Sequence, residues 1–177
     1  MPRDLRSRDT VTVARWLLGK TLVRDDGSGR TVHLITEVEA YDGESDLACH
    51  ASKGRTPRTE IMYQAGGVWY VYLCYGMHEM LNLVTGPAEY PAAVLIRGVK
   101  TISGPGRLTK RLKIDRKLNG QPAHPRTGLH LEDSGLEVTS RQITSSPRIG
   151  VNYAGPVWAG KPWRFQLDAA VTAGVVL

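Results

Sequence analysis

The sequence predicts an α+β fold, formed as a single compact domain over residues 1–177 around a mainly antiparallel sheet. Three observations support this class. The chain has 177 residues and 41% hydrophobic content, enough for one buried core but little more. Strand-like segments cluster along the chain. The helical segments are short and do not alternate regularly with the strands, which argues against a parallel α/β sheet.

The first elements of the chain follow from local patterns. An amphipathic helix is predicted at 10–18, with Asp9 or Thr10 as its N-cap and Gly19 at its end. Strands are predicted at 20–24 and 31–41. From 42 to 58 the composition turns to Gly, Ser, Asp, Thr and Pro, which indicates a long loop. Long loops inside compact domains are usually functional or disordered.

The second half of the chain predicts a hairpin and further short strands. Strands at 68–74 and 79–85 are expected to pair, with the tip at 75–78, and another strand is expected at 92–97. Pro105 can begin a helix that ends near Ile114. Shorter strands are predicted near 129–131, 136–138 and 164–167. Together these elements describe a curved sheet with a protruding β-hairpin, flanked by short helices.

The positive charge of the chain is concentrated in one segment. The formal net charge is +6, yet residues 1–99 carry 11 basic and 12 acidic side chains. Residues 100–126 carry eight basic side chains against the single Asp115. Such a patch attracts polyanions over a distance and makes their binding depend on salt, so nucleic acid is the favoured partner. The alternative is a solvated helix face that keeps the protein in solution.

The remaining composition excludes several classes. No run of eighteen apolar residues occurs, and the start of the chain lacks the apolar core of a signal peptide, so we expect a cytoplasmic protein and no membrane partner. Cys49 and Cys74 have no CxxC partner. Cys49 and His50 together lack zinc-ligand spacing, so no metal site is expected. GxGxxG, Walker A, GxSxG and HExxH patterns are absent from the sequence.

Two glutamates on the strand at 31–41 are candidates for acid–base chemistry. With a period of two, Glu37 and Glu39 share one strand face with Tyr41. Two like charges side by side tend to raise one carboxyl pKa, which suits a general base. The alternative, slightly favoured by the spacing alone, is an exposed sheet edge that carries ordinary surface glutamates.

Aromatic side chains are dense around the predicted hairpin. Trp69, Tyr70, Tyr72 and Tyr75 fall within seven residues. Aromatic rings can stack on an extruded nucleobase, although most such clusters simply fill a core. Tyr75, beside Gly76 at the tip, is the ring that core packing explains least well, and there it could wedge into a base stack.

Several segments, taken in order, resemble the alkyladenine DNA glycosylase family. The resemblance spans roughly residues 8–168. Its motifs are Glu37-Val38-Glu39-Ala40-Tyr41, Ala48-Cys49-His50-Ala51, Arg55-Thr56-Pro57-Arg58, Tyr70 to Met77, Asn82, Leu95-Ile96-Arg97 and Ser103-Gly104-Pro105-Gly106-Arg107-Leu108. The chain departs from many family members in its short connection between Arg97 and Gly104. That departure bears on DNA affinity and leaves the matched pocket motifs intact.

The resemblance implies a role for each matched residue. Glu39 resembles the general base that activates water, and Arg97 its partner. Tyr41, His50 and Tyr72 resemble the walls of a base pocket, and Asn82 resembles the residue that crowds the 2-amino group of guanine. Tyr75 resembles the side chain that fills the gap left in the duplex. Contacts to the DNA backbone are expected from Arg55, Arg58, Gly76, Met77, Arg107, Lys110 and Arg111.

The family implies a monofunctional enzyme of base excision repair. It would flip alkylated or deaminated purines out of duplex DNA, hydrolyse the N-glycosidic bond and leave an abasic site, without a cofactor. Its DNA substrate would place it at the nucleoid of a bacterial-type cytoplasm, and we expect a monomer because a single small domain needs no symmetry to bind DNA. No lysine lies near the Glu39 segment to act as a lyase amine; Lys53 is the nearest along the chain. Two alternatives remain. A non-catalytic nucleic-acid-binding module has no need of Glu39 facing Arg97, and a nucleoside hydrolase has no need of the basic segment.

Overall fold

The computed structural model describes residues 9–175, and the extreme amino-terminal stretch on which the signal-peptide expectation rests lies outside them. The helices are α1 (Thr10–Leu17), α2 (Pro105–Arg111), α3 (Gly155–Ala159) and α4 (Ala169–Thr172). The strands are β1 (Thr21–Asp25), β2 (Arg30–Asp42), β3 (Trp69–Cys74), β4 (His78–Val84), β5 (Ala92–Val99), β6 (Ile102–Ser103), β7 (Leu129–Glu132), β8 (Ile143–Ser146) and β9 (Arg164–Leu167).

The nine strands between residues 9 and 175 join one antiparallel sheet, so the predicted α+β class is confirmed. The main path through the sheet runs β3-β4-β5-β2-β1-β7. The long strand β2 pairs with β5 along one edge, and its other edge is shared between β1 and β9. Because β2 is paired on both sides, it lies in the interior of the curled sheet rather than at an edge.

Alternation along the strands separates two faces of the sheet. One face carries Trp69, Val71, Leu81, Val94 and Ile96, which pack into the main core with helix α1. Asp9 caps α1, since its side chain accepts a hydrogen bond from the Thr12 N–H. The side chains that alternate with these core residues point to the opposite face, where the candidate site lies.

Most predicted elements are found within a residue or two of their expected bounds. Helix α2 is shorter than predicted, because it ends at Arg111, and His78 belongs to β4 rather than to the hairpin tip. The strand predicted at 136–138 is wrong. Leu136 and Val138 pack against the core beside Gly19 without joining the sheet, so their alternation reflects burial and not strand pairing. Strands β6 and β8 and helices α3 and α4 were not predicted.

Two results concern membranes and metals. None of the helices between residues 9 and 175 has the length and apolar character that a membrane span requires. Within the same residues, no three His, Cys, Asp or Glu side chains lie close enough together to hold a metal ion. Cys49 and Cys74 are free thiols, and burial raises the pKa of Cys49 to about 12.

Candidate active site

A cavity of about 480 Å³ opens on the face of the sheet opposite the main core. This volume falls within the ~300–1,000 Å³ that is usual for small-molecule sites. The sheet contributes alternate residues of four neighbouring strands to its wall. They are Glu39 and Tyr41 of β2, Tyr70, Tyr72 and Cys74 of β3, Met80 and Asn82 of β4, and Ala93, Leu95 and Arg97 of β5.

The strand register places these side chains beside one another. Tyr70 pairs with Asn82, Asn82 with Leu95, and Leu95 with Glu39. Residues directly opposite in an antiparallel sheet point to the same face, so this row crosses the floor of the cavity. The register therefore brings together the sequence-predicted Glu39, Tyr41, Tyr72, Asn82 and Arg97, although they come from four different strands.

Glu39 is completely buried at one end of the cavity. One carboxylate oxygen, Oε2, accepts a hydrogen bond from the Tyr41 hydroxyl at 2.8 Å. The other, Oε1, accepts one from the Ile149 N–H at 2.8 Å and lies 3.4 Å from Arg97 Nη1. Burial raises the pKa of Glu39, and Arg97, the Ile149 N–H and the Tyr41 hydroxyl offset part of that rise. A carboxylate with a raised pKa is a stronger base than an exposed one.

Glu37 is also buried, and the interpretation of the two glutamates as ordinary surface residues is wrong. Its Oε1 accepts hydrogen bonds from Arg97 Nε at 2.9 Å and from Arg164 Nε at 2.6 Å. A buried carboxylate requires such partners, because an unpaired charge in the interior is costly. Arg97 thus contacts both glutamates of β2.

Three aromatic side chains form the walls of the cavity. The His50 ring meets the Tyr72 ring edge-on, with centroids 4.6 Å apart, and Tyr72 lies 5.2 Å from Tyr70. His50 Nδ1 lies 3.0 Å from the Tyr70 hydroxyl. Burial, aided by the nearby charges of Arg58 and Lys53, lowers the pKa of His50 to about 4. The ring is therefore neutral near pH 7, and its second nitrogen is free to meet a ligand through a neutral hydrogen bond.

Asn82 is fixed by the backbone of the hairpin. Its Nδ2 donates to the carbonyl oxygens of Tyr70 at 3.1 Å and Met80 at 3.3 Å. The side chain is almost fully buried yet lines the cavity, so its position is rigid. A rigid side chain at the floor of a pocket can exclude a ligand that carries one extra substituent.

The hairpin of β3 and β4 projects Tyr75 from the rim of the cavity. Tyr75 is 85% exposed, and its φ of +51° is one that bulky side chains rarely adopt. Gly76, the second turn residue, has φ +69°, and the Met77 N–H donates to the Cys74 carbonyl to close the turn. An exposed aromatic ring on a strained residue costs stability, and such strain clusters at functional sites.

Helix α2 packs against this hairpin close to its tip. The Thr109 hydroxyl donates to the Glu79 carbonyl at 2.8 Å, Gly106 lies against His78, and Pro105 lines the cavity. The opposite face of the helix exposes the three predicted DNA-backbone residues Arg107, Lys110 and Arg111. None of these three forms an ion pair with any other residue between 9 and 175. The exposed face of α2 therefore carries unpaired positive charge close to the mouth of the cavity.

The two predicted arginines of the loop differ in their surroundings. Arg58 lines the cavity, with its guanidinium 4.9 Å from the Tyr72 ring centroid. Arg55 forms ion pairs with Glu60 at 2.7 Å and Glu89 at 2.6 Å. A phosphate contact by Arg55 would have to compete with both carboxylates, so its predicted role in DNA binding stays a prediction.

Sequence reasoning missed the segment after β8. Arg148 is buried and forms a two-pronged ion pair with the equally buried Asp46, at 2.5 and 2.8 Å. Its guanidinium lies 4.8 Å from the Tyr41 ring centroid, and the next residue, Ile149, supplies the N–H that binds Glu39. Tyr153 lies at the rim and is 68% exposed. Nothing in the local pattern singles out these residues, since their importance comes from contacts with distant parts of the chain.

The fold and the site define an enzyme whose pocket suits a flat aromatic ligand and which holds a buried carboxylate beside an arginine. Comparison with known proteins agrees. The profile of the family described as Methylpurine-DNA glycosylase (MPG) matches residues 4–103 and 99–170. The chain belongs to this family and is a DNA glycosylase, an enzyme of DNA repair, so the predicted resemblance is confirmed.

Several similar proteins match this chain over most of their own length. The chain is 46% identical to a protein of Psychrobacter cryohalolentis, over 84% of this chain and 83% of the relative. It is 47% identical to one of Methanocella arvoryzae, over 93% and 90%, and 46% identical to one of Myxococcus xanthus, over 93% and 88%. Each of these relatives is provisionally named as a 3-methyladenine DNA glycosylase.

Proposed function

We propose that the protein is a monofunctional glycosylase that flips an alkylated or deaminated purine out of duplex DNA and hydrolyses its bond to the sugar. The observation that carries the proposal is Glu39, fully buried beside Arg97 at one end of an aromatic pocket. A module that only binds nucleic acid gains nothing from a buried carboxylate with a raised pKa. The names of the relatives point to 3-methyladenine as one substrate.

The pocket suits a cationic purine. Alkylation at N3 or N7 puts positive charge on the base, and a cation is attracted to the faces of Tyr41 and Tyr72 that Arg148 and Arg58 leave uncovered. Burial raises the pKa of both tyrosines, so their hydroxyls stay protonated and neutral. The neutral His50 ring and its backbone would hydrogen-bond the edge of the base, and Asn82 would reject normal guanine by crowding its 2-amino group. Extrusion also costs the least free energy for a base whose pairing is already weakened by damage.

Hydrolysis requires a water molecule between Glu39 and the sugar. As the C1′–N bond breaks, the sugar gains oxocarbenium character and the electron pair leaves with the base. The negative charge of Glu39 stabilises that cation, and Glu39 takes a proton from the attacking water while Arg97 orients it. A cationic base departs neutral and needs no acid, whereas hypoxanthine must be protonated as it leaves.

The reaction would stop at an abasic site. A lyase needs an activated amine close to the sugar, and none of the residues that line the cavity is a lysine. Tyr75 would occupy the gap left by the flipped base, and α2 would lie along the DNA backbone. One small domain can do this as a monomer, acting at the nucleoid where its DNA substrate lies.

A panel of lesions tests this function. Duplexes treated with a methylating agent, and duplexes with one hypoxanthine or one ethenoadenine, are incubated with the protein and then heated in alkali. We expect strand breaks at the damaged purines that need the alkali step. Breaks without alkali would contradict the monofunctional mechanism. Tight binding to every duplex with no breaks at all would favour a non-catalytic binding module.

We expect replacement of Tyr75 by alanine to weaken binding to damaged duplex by roughly 5-fold to 150-fold, because base–aromatic stacking is worth ~1–3 kcal/mol. The exposed ring makes little packing contact, so the free energy of unfolding should change by less than ~0.5 kcal/mol. Binding is measured on ethenoadenine duplex in a Glu39→Gln background, to prevent cleavage. Tyr90→Ala, which removes another exposed tyrosine, is the control. Equal losses in the two variants would contradict intercalation.

We expect the double variant Lys110→Gln/Arg111→Gln to flatten the salt dependence of DNA binding. Each phosphate contact contributes a slope of roughly 0.9 in log K against log salt, so the slope should fall by up to about two. Lys113→Gln is the control, because Lys113 already pairs with Asp26 at 2.7 Å and has less free charge to offer. An unchanged slope in the double variant would show that α2 does not contact the DNA backbone.

A further inference from the structure

The arginine of the site is held more closely by Glu37 than by the proposed base. Arg97 donates from Nε to Glu37 Oε1 at 2.9 Å, whereas its Nη1 lies 3.4 Å from Glu39 Oε1. The first distance is that of a normal charged hydrogen bond, and the second is longer. Arg97 therefore lies beside the carboxylate of Glu39 without the two-pronged pair that arginine and carboxylate prefer.

The backbone of β2 and β5 is shaped around Glu37. The pairing of these strands shifts register on both sides of Glu37, and such bulges commonly re-aim a side chain near an active site. Gly98 is the partner of Glu37 in β5. A Cβ atom at this position would lie 3.4 Å from Glu37 Oε2, so the glycine leaves that space open. Local geometry thus makes room for the Glu37 carboxylate at this point of the sheet.

A second arginine fixes Glu37 in turn. Arg164 of β9 donates from Nε to the same oxygen, Glu37 Oε1, at 2.6 Å, and from Nη1 to Ser146 at 3.2 Å. The contacts alternate in sign from Glu39 to Arg97, from Arg97 to Glu37 and from Glu37 to Arg164. Two negative charges thus balance two positive ones. Water screens these charges weakly, because less than 20% of each side chain is exposed in Glu37, Arg97 and Arg164.

We propose that Glu37 is a positioning residue, which holds Arg97 by its Nε and so keeps the arginine from closing onto the carboxylate of Glu39. Without the charge of Glu37, Arg97 is drawn to the remaining carboxylate and forms a closer pair with Glu39. That pair makes Glu39 a weaker base and fills the space beside it, where the attacking water must lie. The link to catalysis rests on the function proposed above, whereas the charge arrangement does not.

Glu39 is surrounded by several charged or titratable groups that any test must take into account. Besides Glu37 and Arg164, they are Arg97 of β5, Tyr41 of β2 and Arg148 of the segment after β8. The Tyr41 hydroxyl and the Ile149 N–H keep their contacts with Glu39 in both variants, and Arg97 itself is not substituted. The two variants therefore alter one charge each at the far side of Arg97.

Glu37→Gln and Arg164→Gln should move the titration of Glu39 in opposite directions. Glu37→Gln removes a negative charge and releases Arg97 toward Glu39, so the pKa of Glu39 falls by on the order of one unit. Arg164→Gln removes a positive charge and leaves Glu37 to bind Arg97 alone, so the pKa of Glu39 rises. Carbon-13 NMR of protein with labelled glutamate carboxyl groups measures this directly in the absence of DNA, with Glu39→Gln used to assign the signal.

The single-turnover rate of base excision against pH gives the second readout. A general base works when it is deprotonated, so the acidic limb should move to lower pH in Glu37→Gln, with a lower plateau, and to higher pH in Arg164→Gln. If Glu37 and Arg164 only supported folding, their replacement would lower the excision rate at every pH, and the acidic limb of the profile would not move. Glu137→Gln, the same change at an exposed site, is the control.

The two readouts separate failure of this inference from failure of the proposed function. Opposite shifts in the NMR titration support the positioning role, even if no damaged duplex is cleaved. The positioning role would be overturned if the pKa of Glu39 were unchanged in both variants, or if it shifted in the same direction in both. If Glu37→Gln does not fold, as judged by circular dichroism, Arg164→Gln alone decides the matter, because a fall or no change in the pKa of Glu39 contradicts the inference.

Discussion

Replacing Glu39 by glutamine should reduce base excision by about 10²–10⁴-fold, the usual contribution of a general base. Glutamine keeps the shape of the side chain and can still accept the Ile149 N–H and face Tyr41. It has no negative charge to stabilise the sugar cation and cannot take a proton from water. Single-turnover excision with enzyme in excess over a hypoxanthine duplex measures the loss without interference from product release.

The same variant should bind damaged duplex at least as well as the unaltered protein. Glu39 is completely buried at the end of the cavity, and removal of its charge lowers the repulsion from DNA phosphates. Glu137→Gln is the control for excision, since Glu137 is exposed and lies outside the lining of the cavity. Excision that proceeds in Glu39→Gln within a few-fold of the unaltered rate would remove Glu39 from the mechanism.

Breaking the buried ion pair of Asp46 and Arg148 should destabilise the fold by about 3–5 kcal/mol, which is roughly 6–20 °C in Tm for a chain of this size. Both side chains have no exposed surface, and Asp46 also accepts the N–H groups of Asp42 and Ala48. Asp46→Asn leaves the buried Arg148 guanidinium without its paired carboxylate. Denaturant unfolding followed by circular dichroism measures the loss.

A surface ion pair provides the matched control. Asp133 pairs with Lys20 at 2.9 Å but is 70% exposed, so Asp133→Asn should cost no more than about 1 kcal/mol. Asp46→Asn should also lower the excision rate, because Arg148 lies against the Tyr41 ring and precedes Ile149 in the chain. Equal destabilisation by Asp46→Asn and Asp133→Asn would show that burial gives the inner pair no special importance.

The sequence was sufficient to predict the sheet and much of the pocket wall. Period-two alternation places Glu39 with Tyr41, and Tyr70 with Tyr72, on common strand faces, and the structure brings these four together around one cavity. Alternation is a local property that follows from strand geometry, so it can be read without knowing which strands pair. The basic segment and the exposed Tyr75 are local features of the same kind.

The burial of the two glutamates could not be predicted in this way. Their partner Arg97 is 60 residues from Glu37, and Arg164 is 127 residues from it. A strand with two carboxylates on one face looks like an exposed edge until its pairing on both sides is known. Arg148 and Asp46 are separated by 102 residues and come from irregular segments, so neither propensity nor periodicity indicates their contact.

The proposed function requires that the Glu39 pocket hydrolyse the bond between a damaged purine and its sugar. Mass spectrometry of both products, after a single turnover on a duplex with one methylated or deaminated purine, tests it most directly. We expect one free purine and one unbroken strand with an abasic sugar for each turnover, and at least about a hundredfold less of both products in the same time with Glu39→Gln. Hydrolysis by this pocket would be contradicted if the unaltered protein bound the duplex but the duplex were recovered with its purine still attached.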